Sequence, residues 1–131
     1  ETDVFGTYDL VDDIDYSKIY KYYAISDVFI IPTLEDNWSL VVPEAMACGL
    51  PIVTFDYKCG PRDIIDHEIN GLLVKDGDIE GLAKAMISMM RDDAARKRMG
   101  EDAKKVVETY SEEAVMKQWI ELFNTLVERR A

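Results

Sequence analysis

The sequence is poor in the residues that build disulfide frameworks and metal sites. It contains two cysteines, Cys48 and Cys59, and one histidine, His67. Two thiols without a C-x-x-C spacing exclude a disulfide-rich scaffold and a cysteine-based zinc site. Small apolar residues flank Cys48, which predicts that it lies in the core, whereas the polar neighbours of His67 predict a solvated loop. This sparse cysteine usage is typical of a reducing, cytoplasmic compartment.

Positive charge is scarce as well, with 15 lysines and arginines against 26 acidic residues and a net charge of −11. Nucleic acids and anionic lipids attract basic surfaces, so this composition argues against a nucleic-acid partner and against membrane binding through this surface. The longest apolar run, residues 28–32, is far too short to span a bilayer. Because the first residue is Glu1 rather than methionine, we expect a fragment of a longer protein.

Hydrophobic patterning predicts alternating strands and helices in the first two-thirds of the chain. We expect a strand end at residues 4–6, a helix over 16–24, and buried strands over 28–31, 52–55 and 72–74. A further helix is predicted over 39–48, with Gly49 suited to its C-terminal cap. This order of elements is typical of a parallel α/β sheet with flanking helices.

The last third is predicted to be α-helical, because its apolar residues recur at helical intervals from Ile79 onward. Gly100 and residues 109–111 divide it into three or four helices, and Ser111 is suited to cap the last of them. Five large apolar side chains share one face of that helix: Trp119, Leu122, Phe123, Leu126 and Val127. With 48% hydrophobic residues, residues 1–131 are expected to form a single domain.

The stretch from Pro32 to Pro51 carries the candidate chemistry. A buried strand ends at Pro32, a loop with the adjacent acids Glu35 and Asp36 follows, and Glu44 lies early in the next helix. Loops at the carboxyl ends of parallel strands bind ligands in open α/β sheets. The amides of residues 40–42 and the helix dipole favour an anion such as a diphosphate. The carboxylates are better suited to accept hydrogen bonds from neutral hydroxyls, such as those of a ribose and a hexose.

These residues also resemble a known family. The stretch just described is similar to the pattern P-S-x-x-E-G-F-G-x-x-x-x-E-A-M-A-C-G-x-P-V of the group-1 retaining glycosyltransferases, which have the GT-B fold. Residues 22–28 resemble the family's Y-x-x-A-D-V motif, and residues 60–65, 69–74 and 77–83 resemble its G-x-x-E-I-I, x-N-G-L-L-V and G-D-x-x-x-L-A motifs. The resemblance covers essentially the whole chain. It implies the Rossmann-like C-terminal domain that binds the nucleotide-sugar donor, which is one half of a GT-B fold.

The resemblance implies a role for each acid of the loop region. The second acid of the family holds the donor ribose, and it corresponds to Glu44. The first acid lies against the donor sugar; the family's spacing selects Asp36, whereas a Glu-Asp-Asn variant that also resembles the family slightly favours Glu35. The backbone between the acids is implied to meet the sugar and the diphosphate: Asn37, Trp38, Ser39, Leu40 and Val41.

The resemblance further implies the reaction and its partners. Group-1 enzymes transfer a hexosyl group with retention from a UDP-, GDP- or ADP-sugar to a glycan or lipid-linked acceptor, as in polysaccharide biosynthesis. They use no cofactor and no metal at this step. The acceptor-binding half, and the basic residues that meet the diphosphate, precede the region that this chain covers. We therefore expect the chain to be inactive alone, in a cytoplasmic enzyme whose membrane contact, where there is one, is made by the missing half.

In the family the final helix packs on that missing half. The isolated chain is therefore expected to self-associate through residues 115–127 or to fold this helix onto its own sheet.

Two alternative interpretations use other acids. Residues 13–15 and 76–78 both spell D-x-D, a metal motif in other glycosyltransferases, but here they are more typical of turns and helix caps. Asp12 and Asp13 with Asp56 and Lys104 or Lys105 suggest a phosphoacceptor receiver domain. That fold needs two further buried strands after Asp56, and the sequence offers one. A non-catalytic sugar- or nucleotide-binding module of the same fold is the remaining alternative.

Overall fold

The computed structural model describes Val11 and residues 13–129, and its elements follow the predicted alternation. The strands are β1 (Phe29–Ile31), β2 (Ile52–Asp56) and β3 (Gly71–Lys75). A 3₁₀ helix, Tyr16–Lys18, leads into α1 (Ile19–Ile25), and α2 (Val41–Ala47) and α3 (Pro61–Ile64) connect the strands. The C-terminal helices are α4 (Ile79–Arg91), α5 (Asp93–Ala103), α6 (Val106–Tyr110) and α7 (Glu112–Glu128). The three predicted strands are confirmed, and the strand end expected at residues 4–6 lies outside the described residues.

The strands form one parallel sheet with β2 in the centre. Phe29 pairs with Ile52 across β1 and β2, and Ile52 pairs with Gly71 across β2 and β3. Because all three strands run in the same direction, their carboxyl ends lie at one edge of the sheet. The prediction that β1 is buried on both faces is wrong. Within the described residues β1 pairs with β2 alone, and its side chains are half-buried, whereas β2 is buried from Ile52 to Phe55.

The core has two layers, one on each face of the sheet. Successive side chains of a strand point to opposite faces, and β2 follows this rule. Ile52 packs in a cluster with Tyr23 and Met46, whereas Val53 and Phe55 pack in a second cluster built mainly on α4 and α5. The first layer holds α1 and α2 against the sheet, and these two helices carry the candidate site residue Glu44 and its neighbours.

The end of α2 has the predicted glycine cap. Gly49 has a φ of 84°, and its amide donates to the carbonyl of Met46 over 2.8 Å, while the amide of Leu50 donates to the carbonyl of Ala45 over 3.1 Å. This pair of bonds is the Schellman motif, in which a left-handed residue ends the helix. Cys48, directly before Gly49, is exposed, so the prediction that it lies in the core is wrong. Its flanking small residues do not determine which side of the last turn faces the solvent.

Four helices follow the sheet, in agreement with the prediction. Three of these helices have a side-chain cap at the N-terminus: Asp78 caps α4, Asp92 caps α5 and Ser111 caps α7. None of the residues of α7 is buried, and the apolar side chains of its predicted face are about half exposed or more. The alternative in which this helix folds onto its own sheet is therefore wrong. Within the described residues, no helix is both long enough and apolar enough to cross a membrane.

Candidate functional site

The loops that follow β1 and β2 meet at the carboxyl edge of the sheet. The Thr54 hydroxyl donates to the carbonyl of Ile31 over 2.8 Å and ties the two strand ends together. Gly60, with a φ of 103°, lies against the β1 loop: a Cβ added there would sit 3.8 Å from the carbonyl oxygen of Asn37. Ser39 is buried in a narrow crevice that Thr54, Tyr57 and Gly60 also line. The segment between β1 and α2 is thus seated on the end of β2.

The two adjacent acids of this loop differ in their surroundings. Glu35 is exposed, and its backbone carbonyl accepts a hydrogen bond from the Thr33 hydroxyl over 3.1 Å. Asp36 is half-buried. The pKa of Tyr57 is raised, first by burial and second by the negative charge of Asp36. Asp36 is therefore the acid that the structure brings towards the end of β2.

The centre of the loop is anchored on the C-terminal helices. The Trp38 ring lies 5.6 Å, centroid to centroid, from the ring of Tyr110 in α6. The Tyr110 hydroxyl in turn donates to the carbonyl of Asp63 in α3 over 2.9 Å. Tyr110 thereby connects the loop after β1, through Trp38, with the segment after β2, through Asp63. The sequence analysis missed this residue, because 47 residues separate Tyr110 from Asp63.

Helix α2 has seven residues, and no side chain caps its N-terminus. Leu40 precedes the helix and is exposed, and Val41 is its first, half-buried residue. The amide of Val42 donates to the carbonyl of Ser39 over 3.1 Å. The prediction that this amide is free for an anion is therefore wrong, since a local turn occupies it. The helix itself begins within the predicted window of residues 39–43.

Glu44 is half-buried and receives two hydrogen bonds from tyrosine hydroxyls. The hydroxyl of Tyr16 donates to Oε1 over 2.7 Å, and the hydroxyl of Tyr23 donates to Oε2 over 3.4 Å. Burial and the charge of Glu44 raise the pKa of Tyr23 to about 12, and the hydrogen bond with Glu44 raises the pKa of Tyr16. Both phenols therefore stay protonated at neutral pH and donate to the carboxylate. Of the other tyrosines of α1, Tyr20 and Tyr22 are exposed.

A cavity of about 290 Å³ lies beside Glu44, between α2 and α6. Its walls are mostly apolar and come from Leu40, Pro43, Val106 and Val107, with Glu44 as the carboxylate. The volume is close to the lower end of the roughly 300–1,000 Å³ typical of ligand pockets. An ionised carboxylate in such a wall can accept hydrogen bonds from neutral hydroxyl groups of a ligand.

One cation at this edge, Arg62, is already paired. It lies in α3 and makes a two-pronged ion pair with Asp56 at the end of β2. The hydrogen bond from Arg62 holds the pKa of Asp56 below its ordinary value. Arg62 is exposed, and its charge is matched by a neighbouring carboxylate.

The D-x-D segments and the receiver interpretation also have clear outcomes. Asp15 caps the 3₁₀ helix by accepting from the amide of Ser17 over 2.9 Å, and Asp78 caps α4. No group of three potential metal ligands occurs in the part of the chain that the structure describes. Lys104 and Lys105 pair with acids of α5. Between Asp56 and residue 129 there is one further strand, so the receiver fold is not supported.

Comparison with known proteins identifies the relatives of this chain. Residues 8–106 match the family described as "Glycosyl transferases group 1". An exopolysaccharide phosphotransferase from Streptomyces coelicolor is 38% identical over 109 residues, which are 82% of this chain and 12% of that protein. A poly(glycerol-phosphate) alpha-glucosyltransferase from Bacillus subtilis is 34% identical over 95 residues, which are 72% of this chain and 14% of that protein.

The fold has close counterparts among solved structures. A variant of TarM from S. aureus, in complex with fondaparinux, alpha-GlcNAc-glycerol and UDP, matches with a TM-score of 0.75 and 28% identity. The match covers 82% of this chain and 22% of that chain. This chain therefore spans well under a third of each relative described here. It belongs to the group 1 family of glycosyl transferases, and its fold is that of the C-terminal half of a GT-B enzyme.

Proposed function

We propose that this chain binds the nucleotide-sugar donor of an enzyme that transfers a hexosyl group with retention of configuration and without a metal ion. The observation that carries the proposal is Glu44, which lines a cavity between α2 and α6 and whose carboxylate is held by two tyrosine hydroxyls. Family membership supports it, and TarM, a relative with 28% identity, was solved with UDP. A UDP-sugar is thus the first donor to test, followed by GDP- and ADP-sugars.

Each candidate residue has a role in this proposal. Glu44 accepts hydrogen bonds from the ribose hydroxyls. Asp36 is favoured as the acid against the donor sugar, because it faces the end of β2, and exposed Glu35 is the alternative. The backbone of the intervening segment meets the sugar and the diphosphate: Asn37, Trp38, Ser39, Leu40 and Val41.

The diphosphate requires positive charge, whereas this chain is strongly acidic. The net charge is −11, and Arg62, near the site, is paired with Asp56. We therefore propose that residues outside this chain neutralise the diphosphate and bind the glycan or lipid-linked acceptor. Alone, the chain should bind nucleoside diphosphates weakly, with Kd on the order of millimolar, and should transfer no sugar.

The test uses the full-length enzyme that contains this chain. UDP-, GDP- and ADP-glucose are supplied with acceptor in the presence of EDTA, and the anomeric configuration of the product is read by NMR. The proposal expects the α-anomer of the donor to be kept and EDTA to have no effect. An inverted product, or activity that EDTA abolishes, contradicts it, and donor binding without any transfer would indicate a non-catalytic module.

Glu44→Gln tests the central residue, with Glu80→Gln as the matched control. Both acids lie in the first turn of a helix, so both substitutions remove a similar interaction with the helix dipole. Only Glu44→Gln should weaken donor binding, by about 1.5–3 kcal/mol or roughly ten- to a hundredfold. Equal donor affinity in the two variants would mean that Glu44 does not bind the donor.

A further inference from the structure

The two phenols on Glu44 are attached to different kinds of support. Tyr23 is 6% exposed and packs in the first core layer, with its ring edge-on to the ring of Phe29 at 5.7 Å. Tyr16 is 76% exposed and lies in the 3₁₀ helix. That segment is fixed by Asp15, which accepts from the amide of Ser17 over 2.9 Å and from its hydroxyl over 2.8 Å. Both donors thus reach the carboxylate from ordered backbone.

The contacts use only part of the hydrogen-bonding capacity of Glu44. A carboxylate offers about four lone-pair positions on its two oxygens. One phenol binds to each oxygen, which leaves about one position on each for a ligand. Two neighbouring hydroxyl groups of a ligand can therefore bind to the carboxylate while both tyrosines remain in place.

Neutral donors suit this task better than a cation. A lysine or arginine partner would neutralise the carboxylate, whereas a phenol orients it and leaves its charge for the ligand. Hydrogen bonds to a charged acceptor are roughly twice as strong as those between neutral groups. A glutamate side chain that is already held in one rotamer also loses less conformational entropy when the ligand binds.

We propose that Tyr16 and Tyr23 are positioning residues that hold the Glu44 carboxylate ready to bind the ribose hydroxyls of the donor. This inference rests on the proposed role of Glu44 in donor binding. On this inference the 3₁₀ helix and α1 take part in donor recognition, although neither belongs to the loop pattern of residues 32–51.

The test compares a nucleotide with and without its ribose hydroxyls. UDP, GDP and ADP are titrated into the full-length enzyme by calorimetry, and the tightest of them is paired with its 2′,3′-dideoxy counterpart. The ratio of the two dissociation constants, dideoxy over ribo, measures recognition of the ribose hydroxyls. Each ratio is taken within one variant, so any loss of folded protein affects both nucleotides equally. The variants are Tyr16→Phe, Tyr23→Phe, Glu44→Gln and the control Tyr20→Phe, at an exposed position of α1.

The inference expects a graded result. Tyr16→Phe and Tyr23→Phe should each lower the ratio about three- to tenfold, Glu44→Gln should bring it close to one, and Tyr20→Phe should leave it unchanged. If Glu44→Gln lowers the ratio while Tyr16→Phe and Tyr23→Phe match Tyr20→Phe, the positioning role is wrong and the proposed function stands. If Glu44→Gln has no effect, or if none of the three nucleotides binds, both are wrong. Tighter binding by Tyr16→Phe would show that Tyr16 competes with the donor and would overturn its positioning role.

Discussion

The exposed apolar face of α7 predicts that this 131-residue chain self-associates in solution. Trp119 is 49% exposed, and its ring lies 5.6 Å from that of Phe123 on the same face. A tryptophan buries about 200 Å² when covered, so about 100 Å² of Trp119 remains to be covered. At about 25 cal/mol per Å² this area is worth about 2.5 kcal/mol, or roughly seventyfold in an association constant.

Trp119→Glu removes this contribution from each copy and should dissociate the oligomer. Lys117→Gln, at an exposed position of the same helix, is the matched control, because it changes the net charge by the same single unit. Light scattering and sedimentation over rising protein concentration should show association of the unaltered chain and of Lys117→Gln, and a monomer for Trp119→Glu. If the unaltered chain remains a monomer at millimolar concentration, the energetic argument for this face is refuted.

Two further predictions concern the contacts that hold the loops at the carboxyl edge. Arg62→Gln should lower the free energy of unfolding at pH 7 by the small amount typical of an exposed ion pair. Because Arg62 lowers the pKa of Asp56 in the folded state, this stabilisation is present above the ordinary aspartate pKa of about 3.9 and is lost as the pH falls through the folded-state pKa. Urea titrations of the two proteins should therefore converge on acidification. Tyr110→Phe keeps the ring contact with Trp38 and loses the hydroxyl bond to Asp63, whereas Tyr110→Leu loses both. In urea titrations the free energy of unfolding of Tyr110→Leu should be lower than that of Tyr110→Phe by about 0.5–1.5 kcal/mol or more. Equal free energies of unfolding would contradict the anchoring role of Tyr110.

The elements of this fold were predictable where the signal is local. A short apolar run predicts each strand, rich in β-branched and aromatic residues in β1 and β2 and in leucine in β3. Gly49 marks the end of α2 because it adopts a left-handed φ. The partial exposure of β1 was not predictable from its own residues. A strand of the same composition is buried or half-buried according to the number of neighbours it has in the sheet.

The sequence proposes the acids of the candidate site but not the residues that contact them. The loop pattern selects Glu44 and either Asp36 or Glu35 as candidates. Tyr16, in contrast, contacts Glu44 across 28 positions of sequence, and Tyr110 lies still further from the loop that it anchors. Such contacts depend on how α1 and α6 pack against α2, which periodicity does not determine. A tyrosine on a helix face gives the same sequence signal whether its hydroxyl meets solvent or a carboxylate.

The central claim is that the loop from Asn37 to Glu44 binds the diphosphate nucleotide of the donor. The most direct test is an NMR titration of this 131-residue chain with UDP, GDP and ADP in the absence of metal. Amide shifts should concentrate in residues 37–41 and at Glu44, with a Kd on the order of millimolar for the preferred nucleotide, and Glu44→Gln should weaken the response. Shifts confined to the region of Asp13 and Asp56, or no shift at 10-fold the expected Kd (on the order of 10 mM), would contradict it.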